Sequence, residues 1–333
     1  MMGITIFELL SFVKQGGLAL AGASSLWGVY FYWKKYNSSG EKSDVFSSVS
    51  QKMLEPLTVS IFATIIGWFG LSFVTEYSAF AHEGITIDPT RELVTKGLEI
   101  TEPFFFALLS IFIIGMLYRR FNKEGFKQNG YIFYGLTLAL STILISLPVW
   151  LGRVDGSKLF FIGHNFHSIL TLGTVLVLDF LLLITKYHET FERHIYPVLP
   201  MVSKVIWFGL AIDFASVYFI FEEAISYTSK FLFMQTVIGI IIINGIILSG
   251  PITRKMITSI KENRIEPLPK KWNTAAAISG SVSIASWLTI TFTDFIKNIT
   301  LSYPMLLALY IGFVAITYFT YELLEHYKVG SRW

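Results

Sequence analysis

The sequence predicts an all-α, polytopic membrane bundle of about nine transmembrane helices, and three observations carry that prediction. Nine apolar stretches run along the 333 residues. A hydrocarbon core of ~30 Å needs ~20 apolar helical residues, and 231–249 and 301–321 supply that without one charge. The composition agrees: 53% hydrophobic against 15% charged, with a mean hydropathy of +0.59, far from a soluble domain of this length. Third, the basic residues alternate between loops in the manner of a membrane protein.

The expected spans are 4–33, 57–75, 103–118, 131–151, 159–185, 205–221, 231–249, 273–296 and 301–321. The first and fifth are long enough to tilt or project. Of the 26 Lys and Arg residues, nineteen fall in alternate loops and in the C-terminal tail, on one side of the bundle. Six fall in the opposite loops, and Lys14 lies inside the first span. By the positive-inside rule the N-terminus is outside and the C-terminus cytoplasmic, in a cytoplasmic (inner) membrane. A miscounted helix breaks the alternation, so the charges also support nine spans. The N-terminus lacks a signal peptide's basic start and cleavage site, so the first helix is expected to be retained.

Between the second and third spans, residues 76–102 are acidic. There 89–97 read as a short helix across the outer mouth, capped by Thr90, or as a solvated connection. Tyr30, Tyr32, Trp33, Trp150, Trp207 and Trp272 read as interfacial anchors. The basic segment 254–271 reads as a face toward anionic headgroups. Asn244 and Gly245 mark close helix contact.

Trp68-Phe69-Gly70-Leu71 recurs as Trp207-Phe208-Gly209-Leu210, each in the second helix of a four-helix set. The first and fifth spans share a mid-helix glycine, Gly22 and Gly173. The fourth and eighth share a Gly-to-Ser pattern, Gly135 to Ser141 and Gly280 to Ser286. This suggests a parallel repeat, 1–151 and 152–333, with the ninth helix appended to the second unit. Reuse of Gly and Ser wherever helices approach closely explains the same pattern without a repeat.

Within the second half, the segments 235–251, 279–289 and 302–310, with His167 opening a Gly-containing apolar run to Gly173, carry a resemblance. Over about 159–321 the chain resembles uncharacterised bacterial integral membrane proteins related to the copper-resistance D type of four-helix module. That resemblance implies a membrane bundle handling a metal or haem.

Ionisable groups inside the bilayer are functional candidates by default. His164 and His167, three residues apart, share one helical face at the outer end of the fifth span. Imidazole is a ligand for zinc, copper and haem iron, and other helices must complete such a site. His82 and Glu222, with Asp155, Glu223 and Asp294, are the candidates on that side. A bis-histidine haem b needs axial ligands from facing helices at matched depth, and no second span carries a histidine, so a haem would need His82 to fold inward, a single axial ligand, or histidines from neighbouring subunits. Asp213, Asp179 and Lys14 lie deeper and form an expected polar track, with Asp213 as a proton or cation site and Lys14 as its counter-charge. Hydrogen-bonded, purely structural roles are the alternative for all of these.

No GxSxG, P-loop, HExxH or dinucleotide fingerprint occurs, which leaves a hydrolase or NTPase without support. The chain holds no cysteine, which excludes disulfides, thiolate metal sites and cysteine nucleophiles. Its dispersed charge, +3 overall, carries no nucleic-acid signal. Expected partners are the bilayer and subunits of a membrane complex or further copies of the chain. Three roles therefore stand: metal or haem binding, ion or solute transport, and a structural subunit.

The absence of cysteine makes the topology testable. Asn263→Cys is expected to react with an impermeant maleimide only once the cytoplasmic face is opened, and Asp155→Cys in intact cells. The reverse labelling would invert the bundle.

Overall fold

The computed structural model describes the backbone of residues 5–81, 89–152, 158–185, 195–221, 228–261, 270–296 and 299–330. Side chains are described within 5–75, 97–147, 162–182, 195–216, 228–258, 271–296 and 299–323. Among the described residues there is no strand, and nine helical stretches are long and apolar enough to cross a membrane. The protein is a multi-pass, all-α integral membrane protein.

Packing divides it into two compact units. The larger holds 5–180 and 205–224, and the smaller holds 181–204 and 225–333. The boundary at 151/152, drawn on sequence similarity between halves, is a different division: packing keeps the fifth span and most of the sixth with the first four.

In the larger unit, α1 (Ile6–Tyr36) is the hub. Thr5 and Glu8 close a capping box at its start, satisfying backbone N–H groups that the first turn leaves open. Its middle is built from small buried residues, among them Gly17, Ala19, Ala21, Gly22, Ala23, Ser24, Ser25 and Gly28. Lipid tails are as apolar as leucine, so helices in a bilayer associate by close packing rather than by hydrophobic exclusion. Small residues on several faces therefore let several neighbours in. A methyl group at Gly17 would meet Thr64 of α3 (Leu54–Ala81) at 2.6 Å, and one at Gly28 would meet the Tyr134 ring of α5 (Lys123–Gly152) at 2.6 Å. Gly22 faces Ile169, in a wide turn described below.

Between α1 and α3 runs α2 (Glu41–Lys52), entered through Gly40 at φ 58°. That left-handed backbone favours glycine. Val45, Phe46 and Val49 of α2 are buried, with Phe46 stacked on Phe31 at 6.1 Å. The lysine-rich end is closed by side chains on backbone carbonyls. Tyr32 donates to Phe126 O at 2.6 Å, Tyr134 donates to Ser50 O at 2.6 Å, and Lys35 and Tyr36 donate to the carbonyls of Lys127 and Gln128. Gly28 meets the Tyr134 ring, whereas Tyr32, one turn further along α1, meets Gly130, one turn earlier in α5, so α1 and α5 are antiparallel, as a first and a fourth span must be.

The third span corrects one expectation. Residues 89–97 are not a separate short helix but the opening turns of a single helix, α4 (Pro89–Phe121), which continues through Pro103. Neighbouring helices make an internal proline tolerable in such bundles. Phe105 of α4 stacks on Trp68 of α3 at 4.6 Å with the rings 4° apart.

The fifth span consists of α6 (Lys158–Ser168), a π-helical turn (Ile169–Gly173) and α7 (Thr174–Thr185). It runs parallel to α1: Gln15 donates to Asn165 at 3.4 Å near one end, and Trp27 donates to Thr174 at 3.3 Å near the other. The sixth span is α8 (Leu199–Phe221), preceded by a 3-10 turn at Tyr196–Val198.

The smaller unit contains α9 (Ser229–Ile247), a π turn at Leu248–Ile252, α10 (Thr253–Lys261), α11 (Lys270–Phe295) and α12 (Tyr303–Gly330). Pro251 lies inside that π turn, where the widened ladder accommodates a residue with no N–H to donate. Buried Asn244 donates to Ser279 O at 2.9 Å, Lys230 donates to Ile296 O at 2.7 Å, and the Ser286 and Tyr310 hydroxyls are 2.8 Å apart. A polar seam thus ties α9, α11 and α12, with Asn244 at the close contact expected of it.

A methyl group at Gly67 would fall 2.5 Å from the backbone N of Lys14, whereas one at Gly239 would meet nothing within 4 Å. Gly67→Ala is expected to destabilise the bundle by about 1–3 kcal/mol through overpacking. Gly239→Ala is expected to be neutral or slightly stabilising. Thermal unfolding of both variants in detergent checks this, and equal melting would contradict the α1–α3 contact.

Candidate metal centre

His164 and His167 occupy successive turns of α6, so the helix places both imidazoles on one face. The antiparallel helix α8 brings a carboxylate to that face. His164 Nδ1 lies 2.8 Å and His167 Nδ1 3.4 Å from the same oxygen, Oδ1 of Asp213. The two imidazole centroids are 5.2 Å apart, and His167 Nδ1 also contacts the carbonyl of His164. One ligand atom from each of the three residues lies within 4.8 Å of the others, and all three side chains are partly buried.

Two glycines, one from each helix, hold α6 and α8 this close. A methyl group at Gly163 would stand 2.7 Å from Ser216 Oγ on α8. One at Gly209 would stand 2.7 Å from Thr171 Cγ2 and 2.8 Å from Leu170 Cβ. The His164–Asp213 contact lies between these two approaches.

The π turn then begins directly after Ser168, and all five of its residues are buried. A π turn inserts one residue into the helical ladder, and such turns recur at functional sites. Here Thr174 Oγ1 donates to Ile169 O at 3.2 Å and accepts from Trp27. Gly22 admits the Ile169 side chain, while Gly173 sits on the Ala19 carbonyl. The hub helix thereby fixes the turn that directly follows the helix of the two histidines.

Chemically, two imidazole nitrogens and one carboxylate oxygen form a three-ligand set that leaves a position for a further ligand. That composition suits zinc, or ferrous iron in its two-histidine, one-carboxylate arrangement. Without an ion, an imidazole protonated at Nδ1 donates to Asp213, which satisfies the same polar groups.

A haem held between these two histidines does not fit. Axial ligands approach iron from opposite faces of the porphyrin, whereas these imidazoles rise side by side from one helix with a carboxylate against them. The expected partners His82 and Glu222, with Asp155 and Glu223, lie outside the described residues. Asp294 is exposed on α11.

The expected polar track is rearranged. Asp213 stands with the histidines rather than with Lys14. The Lys14 ammonium lies over the Trp68 ring, 5.6 Å from its centroid, and makes no ion pair with Asp213 or Asp179 among the described residues. Asp179, on α7, keeps one buried carboxylate oxygen without a hydrogen-bond partner.

Sequence reasoning singled out all three residues of the cluster but placed Asp213 in a separate polar track. The signal that joins them was available: His164 and Asp213 lie at comparable distances from the same ends of two antiparallel neighbours. No family model matches this chain, and no curated protein or solved structure is significantly similar to it.

The contact can be checked without any ligand. An ideal Cβ at Gly163 would lie 4.0 Å from Ser216 Cβ, within the usual Cβ separation of a disulfide, about 3.5–4.5 Å. Gly163→Cys/Ser216→Cys is therefore expected to form an intramolecular disulfide on mild oxidation, seen by mass spectrometry as the loss of two hydrogens. Persistent free thiols would remove the α6–α8 register on which the site depends.

Proposed function

We propose that this membrane protein binds one divalent transition-metal ion through His164, His167 and Asp213, near the end of the bundle that the charge pattern places outside. The observation that carries this reading is the convergence of three ligand atoms, from two antiparallel spans, within 4.8 Å of one another. Ionisable groups in a bilayer are costly, and a set of them meeting at one point is what an ion requires. The resemblance of 159–321 to copper-resistance D type modules points the same way. The nitrogen and oxygen ligands, with no thiolate in the chain, favour zinc, ferrous iron or cupric copper over cuprous copper.

Purified protein equilibrated with zinc is expected to retain one ion per chain by elemental analysis. His164→Ala/His167→Ala is expected to abolish this. Asp213→Ala is expected to weaken it by more than the ~10–100-fold that loss of an outer-shell partner costs. Wild-type protein that holds no stoichiometric zinc, iron or copper ends the proposal.

A second reading, passage of the ion or of protons through the bundle, is favoured by one further feature. Asp179 carries its unpartnered oxygen along the same span, twelve residues beyond His167. Flux in proteoliposomes is expected to fall several-fold in both Asp213→Asn and Asp179→Asn if this reading holds. A drop in neither would leave binding without transport.

A further inference from the structure

We propose that the lysine-rich end of the larger unit binds the phosphate of an anionic phospholipid, at a site built by the α4–α5 turn and the last turn of α1. Helix α4 carries Arg119 and Arg120 in its last turn. Helix α5 follows at once with Lys123 and Glu124, and with Lys127 one turn on. The last turn of α1 adds Lys34 and Lys35. Lys35 joins this group by contact, because its ammonium donates to the Lys127 carbonyl. Arg119 is half-buried, and its charge acts on the Tyr32 and Tyr134 phenols, which sets it beside the α1–α5 contact.

The charges of this end do not cancel one another. Lys127 pairs with Glu124 at 2.7 Å, whereas Arg119, Arg120 and Lys123 form no ion pair among the described residues. The further acids of this end, Glu41 and Asp44, belong to the first turn of α2, whose Ser43 hydroxyl donates to Lys35 O at 3.2 Å. Lys123 also stands in the first turn of a 30-residue helix, where the backbone dipole disfavours a cation and favours an anion.

The surroundings say which anion. Tyr36, Tyr118, Phe121 and Tyr131 are exposed at this end, and aromatic side chains at span ends sit at the level of the lipid headgroups. Lys34 lies 5.1 Å from the Trp33 ring centroid and Lys35 5.4 Å from that of Tyr36, so cations and rings share one band. Arg120 is exposed and follows Leu117 by three residues and Ile113 by seven, which places all three on one exposed face of α4. A guanidinium above an apolar face suits a phosphate that carries acyl chains, the chains lying along Leu117 and Ile113. A free phosphate has nothing to place there.

Native mass spectrometry of detergent-purified protein, titrated with phosphatidylglycerol or with phosphatidylcholine, tests this. Wild-type protein is expected to retain phosphatidylglycerol several-fold more tightly. Each charge removed is expected to weaken that retention ~5-fold, so Arg119→Gln/Arg120→Gln/Lys123→Gln is expected to bring it down to the level of phosphatidylcholine. Arg254→Gln/Lys255→Gln, in the smaller unit, is expected to leave it unchanged. Should the triple variant misfold, Arg120→Gln alone carries the test, because that side chain is exposed. Equal retention of the two lipids by wild-type protein, or an equal loss in the Arg254→Gln/Lys255→Gln variant, would overturn the inference. Displacement of phosphatidylglycerol by millimolar inorganic phosphate would assign the site to a free anion and overturn it as well.

Discussion

Close backbone approach around α1 is the constraint on which the larger unit depends. In water a helix can be held by the apolar area it hides, but in lipid that gain is nearly absent, and van der Waals contact must replace it. Helix α1 meets this with glycines directed at different neighbours: Gly17 at α3, Gly22 and the adjoining alanines at the π turn of the fifth span, and Gly28 at α5. Each approach is short enough that a single methyl group would collide. The aromatic residues then lock the ends, because hydroxyls of Tyr32 and Tyr134 reach backbone carbonyls on other helices. The order of neighbours around α1 thus follows from where its side chains are smallest.

The same constraint builds the site. Asp213 and the two histidines would each be costly alone in the bilayer, on the order of a few kcal/mol for a charged carboxylate near the centre of a span. Brought together, they satisfy one another whether or not an ion is present. Bringing them together takes two glycines in the α6–α8 contact and a π turn held by α1. The cluster is therefore held together by the close packing around it.

What could be read in advance follows from the range of each interaction. The nine spans were legible because hydropathy is a property of a single segment, and the charges at the span ends predicted that successive spans alternate in direction. The antiparallel pairing of α1 with α5, and the parallel pairing of α1 with α6–α7, agree with that alternation. Helix α2 was not foreseen: its apolar face is only Val45, Phe46 and Val49, too few to stand out within a charged connection. The continuity of α4 through Pro103 was missed because proline usually ends a soluble helix. At the site, the i, i+3 spacing of the histidines was plain, whereas their carboxylate came from 46 residues beyond the second of them. Lys14 was paired with Asp213 by depth alone, but an aromatic face, Trp68 backed by Phe105, accepts the ammonium instead.

One packing device occurs twice, and the comparison separates scaffold from chemistry. In the second span, Gly70 faces Leu10 of the first; in the sixth, Gly209 faces Leu170 and Thr171 of the fifth. In both tetrapeptides the phenylalanine is exposed and the leucine is buried. A glycine seating each second helix on each first helix is thus common to the two pairs. The polar groups are not. Aligned on Gly22 and Gly173, the first-half counterparts of His164 and His167 are Val13 and Gly16, neither of which carries a polar side chain. If the imidazoles served only to join helices, the pair α1–α3 shows that this contact forms without them. The His164–His167–Asp213 cluster is therefore an addition to the packing device that the two pairs share.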